Sequence, residues 1–175
     1  QFEMIHPFLD GNGRMGRLLI TLFLASKKIL HTPCLYISAY LQRHRGTYYA
    51  SLAKISKNND WDTWISFFLR AVVEHSKANA SLLMKMTDLY EISKTQFAEA
   101  TNSSLAMELL DYLFAQPIFT IPNLINQTKV KASKATLLLA VQKLEKAGLV
   151  TKISEGRGRR PTVWKFGALV DLIQD

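Results

Sequence analysis

Residues 6–17 read HPFLDGNGRMGR, and an apolar run, LLITLFLA at residues 18–25, follows directly. The apolar run predicts a buried helix, so the glycine-rich stretch lies where a loop leads into that helix. Gly11 and Gly13 let the backbone approach a bound group closely and adopt positive φ angles. A helix that begins near Gly13 directs its free N–H groups and the positive end of its dipole toward an anion. The stretch therefore predicts a helix start that binds an anion.

Charged and titratable side chains in the same stretch indicate which anion. Arg14 and Arg17 lie three apart, on one helical face, and a guanidinium matches phosphate oxygens bidentately. Asp10 is a hard oxygen ligand of the kind that holds Mg²⁺ beside phosphates. His6 can act as a general base toward a hydroxyl nucleophile near neutral pH. Together they predict a nucleotide site; the alternative interpretation is a glycine-rich loop with solvated arginines.

These residues resemble the signature of the Fic family, HxFx(D/E)GNGRxxR, and meet every defined position of it. The resemblance implies transfer of AMP from ATP to a serine, threonine or tyrosine hydroxyl of a target protein. The related kinase-like branch usually has alanine and lysine where this chain has Gly11 and Gly13. That difference favours nucleotidyl transfer over phosphorylation.

The resemblance also implies a role for each residue of the signature. His6 would take the proton from the target hydroxyl, and Asp10 would hold Mg²⁺. Phe8 would be a buried anchor without a chemical role. The backbone of Gly11, Asn12 and Gly13 and the Asn12 side chain would cradle the phosphates of ATP. Arg17 would grip the distal phosphate, with Arg14 supporting the loop and the phosphates.

A second stretch, YISAYLQRHRGTYYA at residues 36–50, resembles the Fic segment that closes one side of the nucleotide pocket. Tyr40, Tyr48 and Tyr49 are candidates for contact with the adenine, because stacking on an aromatic face stabilises a base by about 1–3 kcal/mol. The alternative is that these tyrosines pack a helix pair with their hydroxyls in water.

The chain begins at Gln1, five residues before His6. A Fic core normally has several helices before the motif, including a hairpin that docks the target. We therefore expect this chain to be the C-terminal part of the Fic core of a longer protein, and inactivity of this part alone is one expected outcome.

Composition predicts a soluble cytoplasmic protein with one large or two small domains in its 175 residues. No apolar run reaches the roughly 18 residues that a membrane span requires, so no membrane association is expected. The chain has one cysteine, Cys34, which excludes an intramolecular disulfide and is expected to be an inert core residue.

The first hundred residues are predicted to be helical. The helices are expected over 13–30, from Thr32–Pro33 to about Gln42, from Arg45 to Lys57, and from Trp61 to about Ala100 with Asn59 or Asp60 as its cap. The long helix should bury a stripe made of Trp61, Trp64, Ile65, Phe68, Leu69, Val72 and Val73. Three histidines are expected to be surface or satisfied structural residues: His31, His44 and His75. Met84 and Met86 are expected to pack.

Residues 101–175 show a different order of elements. A helix over 104–115 precedes a short extended piece and a short helix near Pro122. A helix capped by Ser133 and stopped by Gly148 should follow, with Leu137, Leu138, Val141 and Leu144 buried. Two β-type segments, VTKISEG and PTVWKF, come last. This order resembles a winged helix-turn-helix with a β-hairpin wing, so the predicted fold is mainly α: a Fic-type helical bundle over 1–100 and a winged helix domain over 101–175.

Charge adds a nucleic-acid hypothesis for the second domain. Residues 129–165 contain ten Lys or Arg against Glu145 and Glu155. Such domains contact DNA through the start of the recognition helix and through the wing. The candidate DNA-binding residues are Lys131, Lys134, Arg157, Arg159 and Arg160. The alternative is a protein-interaction or dimerisation module with a basic surface.

Three functions are therefore open: an adenylyltransferase that uses ATP and Mg²⁺, a DNA-binding regulator whose Fic part senses nucleotide, and a homodimerisation scaffold. The intact motif favours the enzyme, because loss of His6 or Arg17 would be expected in a degenerate copy.

Overall fold

The computed structural model describes residues 2–31, 35–127, 132–158 and 160–174. It is mainly helical with a small antiparallel sheet, as the sequence predicts. The helices are α1 (Phe2–Ile5), α2 (Asn12–Ser26), α3 (Ser38–Arg43), α4 (Arg45–Asn58), α5 (Trp61–Thr101), α6 (Ala106–Ala115), α7 (Ile121–Gln127), α8 (Lys134–Lys146) and α9 (Gly167–Gln174). The strands are β1 (Ile118–Phe119), β2 (Thr151–Ser154) and β3 (Val163–Lys165).

The chain divides into two compact units, an N-terminal unit over Gln1–Ala80 and a C-terminal unit over Ser81–Asp175. This division falls within α5, whereas the sequence prediction places the domain boundary after residue 100. The difference arises because Met86, Leu89 and Phe97, on the second half of α5, pack in the core of the C-terminal unit.

The core of the N-terminal unit is made by buried residues of α3, α4 and α5 and of the segment before α3. They are Leu35, Ile37, Tyr40, Leu41, Tyr48, Phe67 and Ala71, with Ile20 and Leu24 of α2 packed against them. Helix α2 ends at Ser26, four residues earlier than predicted, because Lys28 adopts a positive φ of 57° and Ile29 N–H returns to the Leu24 carbonyl. The predicted helix from Thr32–Pro33 is wrong in its start, because residues 35–37 are not helical and α3 begins at Ser38. Thr32, Pro33 and the environment of Cys34 lie outside the described residues.

The predicted buried stripe of α5 is wrong at four positions. Trp61, Ile65, Leu69 and Val73 recur every four residues and are about half exposed, at 48–56%. The apolar residues on this helix span a wider arc than its packing surface covers, and the buried edge passes through positions 64, 67, 68, 71 and 72 instead.

Three further predictions concern the cap of α5 and two of its methionines, and they differ in outcome. Asp60 is confirmed as the cap, because its carboxylate accepts from the Thr63 N–H at 3.0 Å and from the Thr63 hydroxyl at 2.6 Å. Met84 is 69% exposed, so its predicted packing role is wrong, whereas Met86 packs against the C-terminal core.

The C-terminal unit is built around a buried cluster that joins α6, α7, α8, the sheet and α9. Ser133 caps α8 by accepting from the Thr136 N–H at 3.1 Å, which confirms the predicted cap. Leu137, Val141 and Leu144 are buried as predicted. The sheet has the order β1-β3-β2, with Phe119 opposite Trp164 in the β1–β3 pair. Helix α9 was not predicted, although its Leu169 is fully buried.

The described part of the chain contains no helix that is both long enough and apolar enough to cross a membrane.

His75 of α5 holds a neighbouring backbone segment of the N-terminal unit. Its Nε2 accepts from the Tyr36 N–H at 3.1 Å and lies 3.1 Å from Asn79 Nδ2. Burial, and then the nearby Arg43 guanidinium, lower the pKa of His75 from its ordinary value of 6.5. The prediction of a satisfied structural histidine is thus confirmed for His75, whose ring accepts a backbone hydrogen bond.

We expect the stability of the N-terminal unit to depend on pH through His75. Because the folded pKa is lower than the unfolded pKa, the unfolded chain binds more protons, and the stabilisation present above pH 6.5 is lost as the pH falls below that value. His75→Gln keeps an acceptor for Tyr36 N–H without titrating, so its unfolding free energy should vary less between pH 7.5 and 5. Denaturant titration followed by tryptophan fluorescence measures this, with exposed His31→Gln as the control; equal pH slopes for wild type and His75→Gln would contradict it.

Candidate functional site

The sequence HPFLDG forms a short loop between α1 and α2 that has a left-handed residue at each end. His6 has a φ of 51°, and its N–H donates to the Phe2 carbonyl at 3.1 Å, which ends α1. Gly11 has a φ of 83° and stands at the N-cap of α2. Because side chains disfavour such angles, glycine suits position 11, and His6 occupies a conformation uncommon for its residue type.

Asn12 closes this loop from inside. Its side chain is 3% exposed, its Nδ2 donates to the Phe8 carbonyl at 2.6 Å, and its Oδ1 accepts from the Phe8 N–H at 3.0 Å. Both ends of the amide are therefore used by one backbone unit. The sequence prediction places Asn12 among the phosphate ligands; the structure shows its amide engaged with the loop.

Phe8 itself is 46% exposed, and its ring contacts that of Phe2 with a centroid distance of 6.3 Å. The prediction that Phe8 is a buried anchor is wrong for this chain. The residue is anchored through its backbone, by Asn12, and its side chain has only a partial apolar cover.

Asp10 and Arg14 project from the loop and the first turn of α2 toward solvent. The Asp10 Oδ1 accepts from the Gly11 N–H at 2.6 Å, and its Oδ2 lies 3.3 Å from Arg14 Nη2. Their side chains are 93% and 75% exposed, so this ion pair contributes at most about 1 kcal/mol. Because this ion pair is weak, Asp10 and Arg14 can each leave it for a more highly charged partner at little cost in free energy.

Arg17 lies one turn further along α2 and lines two cavities of the N-terminal unit. The larger, of about 470 Å³, also has Tyr48, Trp61 and Trp64 in its walls. The smaller, of about 110 Å³, is shared with Arg14 and Tyr36. The structure therefore brings the two predicted arginines together at the smaller cavity and places Arg17 with predicted Tyr48 at the larger one.

The three candidate tyrosines have different environments. Tyr48 is 8% exposed at the wall of the larger cavity, whereas Tyr40 is 4% exposed and packs against the ring of Phe67 at 6.0 Å. Tyr49 is 54% exposed, with its ring 5.1 Å from that of Tyr48 and 5.5 Å from the Arg45 guanidinium.

Sequence reasoning assigned Trp61 and Trp64 to packing and missed that they line a cavity with Arg17. Their spacing of three residues shows only that they share a helix face. It gives no signal that this face meets α2.

A single exposed carboxylate suits a magnesium ion whose other ligands are waters and substrate phosphates. In the described residues no three His, Cys, Asp or Glu side chains gather as a metal cage. Mg²⁺ commonly takes one or two carboxylates, several waters and substrate phosphates, so a single exposed carboxylate such as Asp10 fits it.

In the C-terminal unit, the described candidate cations are exposed. Lys134 is the first residue of α8, and Arg157 and Arg160 bridge the connection between β2 and β3, where Arg160 N–H donates to the Arg157 carbonyl at 3.1 Å. Within the described ranges no ion pair joins these three side chains to a carboxylate. Lys131 and Arg159 lie outside the described residues.

Three other basic residues of this unit are engaged. Lys152 pairs with Glu145 at 3.4 Å, Lys165 pairs with Asp171 at 3.7 Å, and Lys143 donates to the Thr101 carbonyl at 2.8 Å.

Comparison with known families supports a relationship for the N-terminal stretch. The model of the Fic/DOC family matches residues 1–24, which cover α1, the loop and α2 as far as Leu24. This match suggests transferase chemistry of the Fic type, on a segment that contains every residue of the HPFLDGNGRMGR motif.

We expect Asn12→Ala to destabilise the N-terminal unit. The substitution leaves both backbone groups of Phe8 without their partners and should lower the free energy of unfolding by roughly 1–3 kcal/mol. Arg14→Ala is the matched control, because it removes only an exposed ion pair and should cost under about 1 kcal/mol. Denaturant unfolding monitored by tryptophan fluorescence distinguishes the two; similar losses for both variants would show that the Asn12 amide does not hold the loop.

Proposed function

We propose that this chain carries the nucleotide-handling loop of a Fic-type protein adenylyltransferase, which transfers AMP from ATP to a serine, threonine or tyrosine hydroxyl of a target protein. The observation that carries the proposal is the loop fixed by Gly11 and Asn12, from which Asp10 and Arg14 project while Arg17 lines adjoining cavities. A rigid loop with a carboxylate and two guanidiniums provides the charges that phosphoryl chemistry requires.

In this mechanism His6 accepts the proton of the target hydroxyl as its oxygen attacks the α-phosphorus of ATP. The new bond joins that oxygen to the α-phosphorus. The bond from the α-phosphorus to the bridging oxygen breaks, and pyrophosphate leaves with the electron pair. Arg14 and Arg17 bind the departing phosphates, and the backbone of Gly11–Gly13 faces the nucleotide. Mg²⁺ held by Asp10 would neutralise phosphate charge.

The larger cavity supports a binding place for the adenine of ATP in the same proposal. Arg17 is in its wall, together with five aromatic residues: Phe2, Tyr48, Trp61, Trp64 and Phe68. A purine gains about 1–3 kcal/mol from each aromatic face on which it stacks. Tyr48 is therefore the preferred candidate among the three tyrosines, since it lines this cavity and Tyr40 and Tyr49 are not among its lining residues.

We expect His6→Ala to lower AMP transfer by about 10²–10⁴-fold, the usual contribution of a general base. The chain is incubated with Mg²⁺ and ATP labelled at the α-phosphate, with a cell extract as the source of target hydroxyls, and label in protein is counted. His31→Ala, another exposed histidine of the N-terminal unit, is the control and should transfer label normally. Transfer by His6→Ala at the control rate would remove His6 as the base, and label arriving only from the γ-phosphate would mean phosphorylation instead.

A second function is favoured by the cations of the C-terminal unit: we propose that it is a winged helix domain that binds DNA. The antiparallel β2–β3 pair supports a wing, and α8 supports a recognition helix. Lys134, Arg157 and Arg160 carry no carboxylate partner among the described residues, so they can bind phosphates without losing an ion pair.

We expect Arg157→Ala with Arg160→Ala to reduce the salt dependence of duplex DNA binding. Each phosphate contact contributes about 0.9 to the slope of log K against log salt, so the slope should fall by about 1.8. The control is Lys152→Ala with Lys165→Ala, which removes the same charge from paired side chains and should change the slope little. Fluorescence anisotropy across a salt series measures it. An unchanged slope, with a dimer in sedimentation, would favour the dimerisation scaffold.

A further inference from the structure

The smaller cavity beside Arg17 has a second wall that the motif does not supply. Helix α2 contributes Arg14 and Arg17, and residues 35–38 contribute Tyr36 and Ser38 from the opposite side. Its volume of about 110 Å³ has room for several waters, and hence for a phosphate group.

The chemistry of this cavity is that of an oxyanion site. Two guanidiniums line it, and no carboxylate is among its described lining residues. Ser38, the first residue of α3, is exposed, and Tyr36 is 66% exposed. Both hydroxyls can therefore donate to an anion that the arginines attract, and charge-assisted bonds of this kind are about twice as strong as neutral ones.

Two hydrogen bonds, the first of them buried, fix the position of the second wall. The Thr21 hydroxyl of α2 donates to the Leu35 carbonyl, and His75 Nε2 of α5 accepts from the Tyr36 N–H at 3.1 Å. Ile37, the next residue, is 2% exposed in the core. Consecutive backbone groups are thus tied to two different helices, which holds Ser38 against the arginines.

We propose that Ser38 binds the terminal phosphate of a polyphosphate chain together with Arg14 and Arg17, and that His75 is a positioning residue that acts through the segment 35–38. The nucleoside triphosphate as natural ligand rests on the proposed function. Binding of an inorganic polyphosphate tests the site without it.

The first experiment measures binding of inorganic tripolyphosphate to the full chain by calorimetry. Ser38→Ala should weaken binding by about tenfold, the effect of losing one hydrogen bond to a charged group. Ser81→Ala, an exposed serine of α5 outside the N-terminal unit, should bind like wild type. Equal affinity for Ser38→Ala and wild type would overturn the assignment of Ser38.

The second experiment separates positioning by His75 from general stabilisation. His75→Ala should weaken tripolyphosphate binding, and His75→Gln, which retains an acceptor for Tyr36 N–H, should restore it. Because His75 acts through Ser38, the double variant His75→Ala with Ser38→Ala should bind tripolyphosphate no more weakly than the single variant with the lower affinity. Losses that multiply in the double variant, or a glutamine variant as weak as alanine, would overturn the positioning role.

AMP transfer measured on the same variants keeps the two proposals distinguishable. Tripolyphosphate binding that depends on Ser38, with label reaching protein only from the γ-phosphate of ATP, leaves the site standing and refutes the proposed function. AMP transfer by a wild-type chain whose tripolyphosphate affinity ignores Ser38 and His75 supports the function and refutes this site.

Discussion

The two hydrogen bonds between the Asn12 side chain and the Phe8 backbone are the constraint on which the candidate site depends. The loop from His6 to Gly11 has no regular secondary structure of its own, and its residues from His6 to Asp10 are exposed. A buried amide that satisfies one donor and one acceptor of the same residue fixes where the loop turns. With Gly11 supplying the left-handed step into α2, the carboxylate and both arginines then project from a fixed base.

Under the proposed function, the same constraint explains how a motif with exposed side chains can be selective for a phosphate. The Asp10 and Arg14 side chains stabilise each other only weakly in water. In a mobile pair, the conformational entropy lost on ordering would offset that stabilisation. Here their backbones are held by the loop and by the first turn of α2. Less entropy remains to be lost when a phosphate binds, so more of its charge-assisted hydrogen bonding contributes to affinity.

Much of the fold could be predicted from the sequence, because periodicity and capping residues are local signals. Asp60 and Ser133 cap the helices that they were expected to cap, and the buried positions of α8 are those of its apolar repeat. The failures concern long-range packing. Periodicity shows which side of α5 is apolar but not how much of it another helix covers, so Leu69 was placed in the core.

The candidate site was predictable as a set of residues but not as a geometry. The motif identified Arg14 and Arg17, yet the cavity they share depends on residues 35–38 and, through Tyr36, on His75 in a distant helix. Likewise, a motif cannot show that the Asn12 amide is used by the loop. The functional roles of all the candidate site residues, those of His6, Asp10, Arg14 and Arg17 among them, stay predictions.

Under the proposed function, the Asp10 and Arg14 side chains can exchange each other for new partners when a nucleotide and Mg²⁺ bind. A carboxylate beside a guanidinium neutralises both, and at 3.3 Å in solvent the pair is worth at most about 1 kcal/mol. A phosphate offers Arg14 more charge, and a divalent cation offers Asp10 a stronger partner. If the nucleotide phosphates and Mg²⁺ bind together as proposed, both side chains would lose a weak partner and gain a strong one in the same event. The exposed ion pair therefore keeps the two groups oriented in the free chain without resisting the ligand.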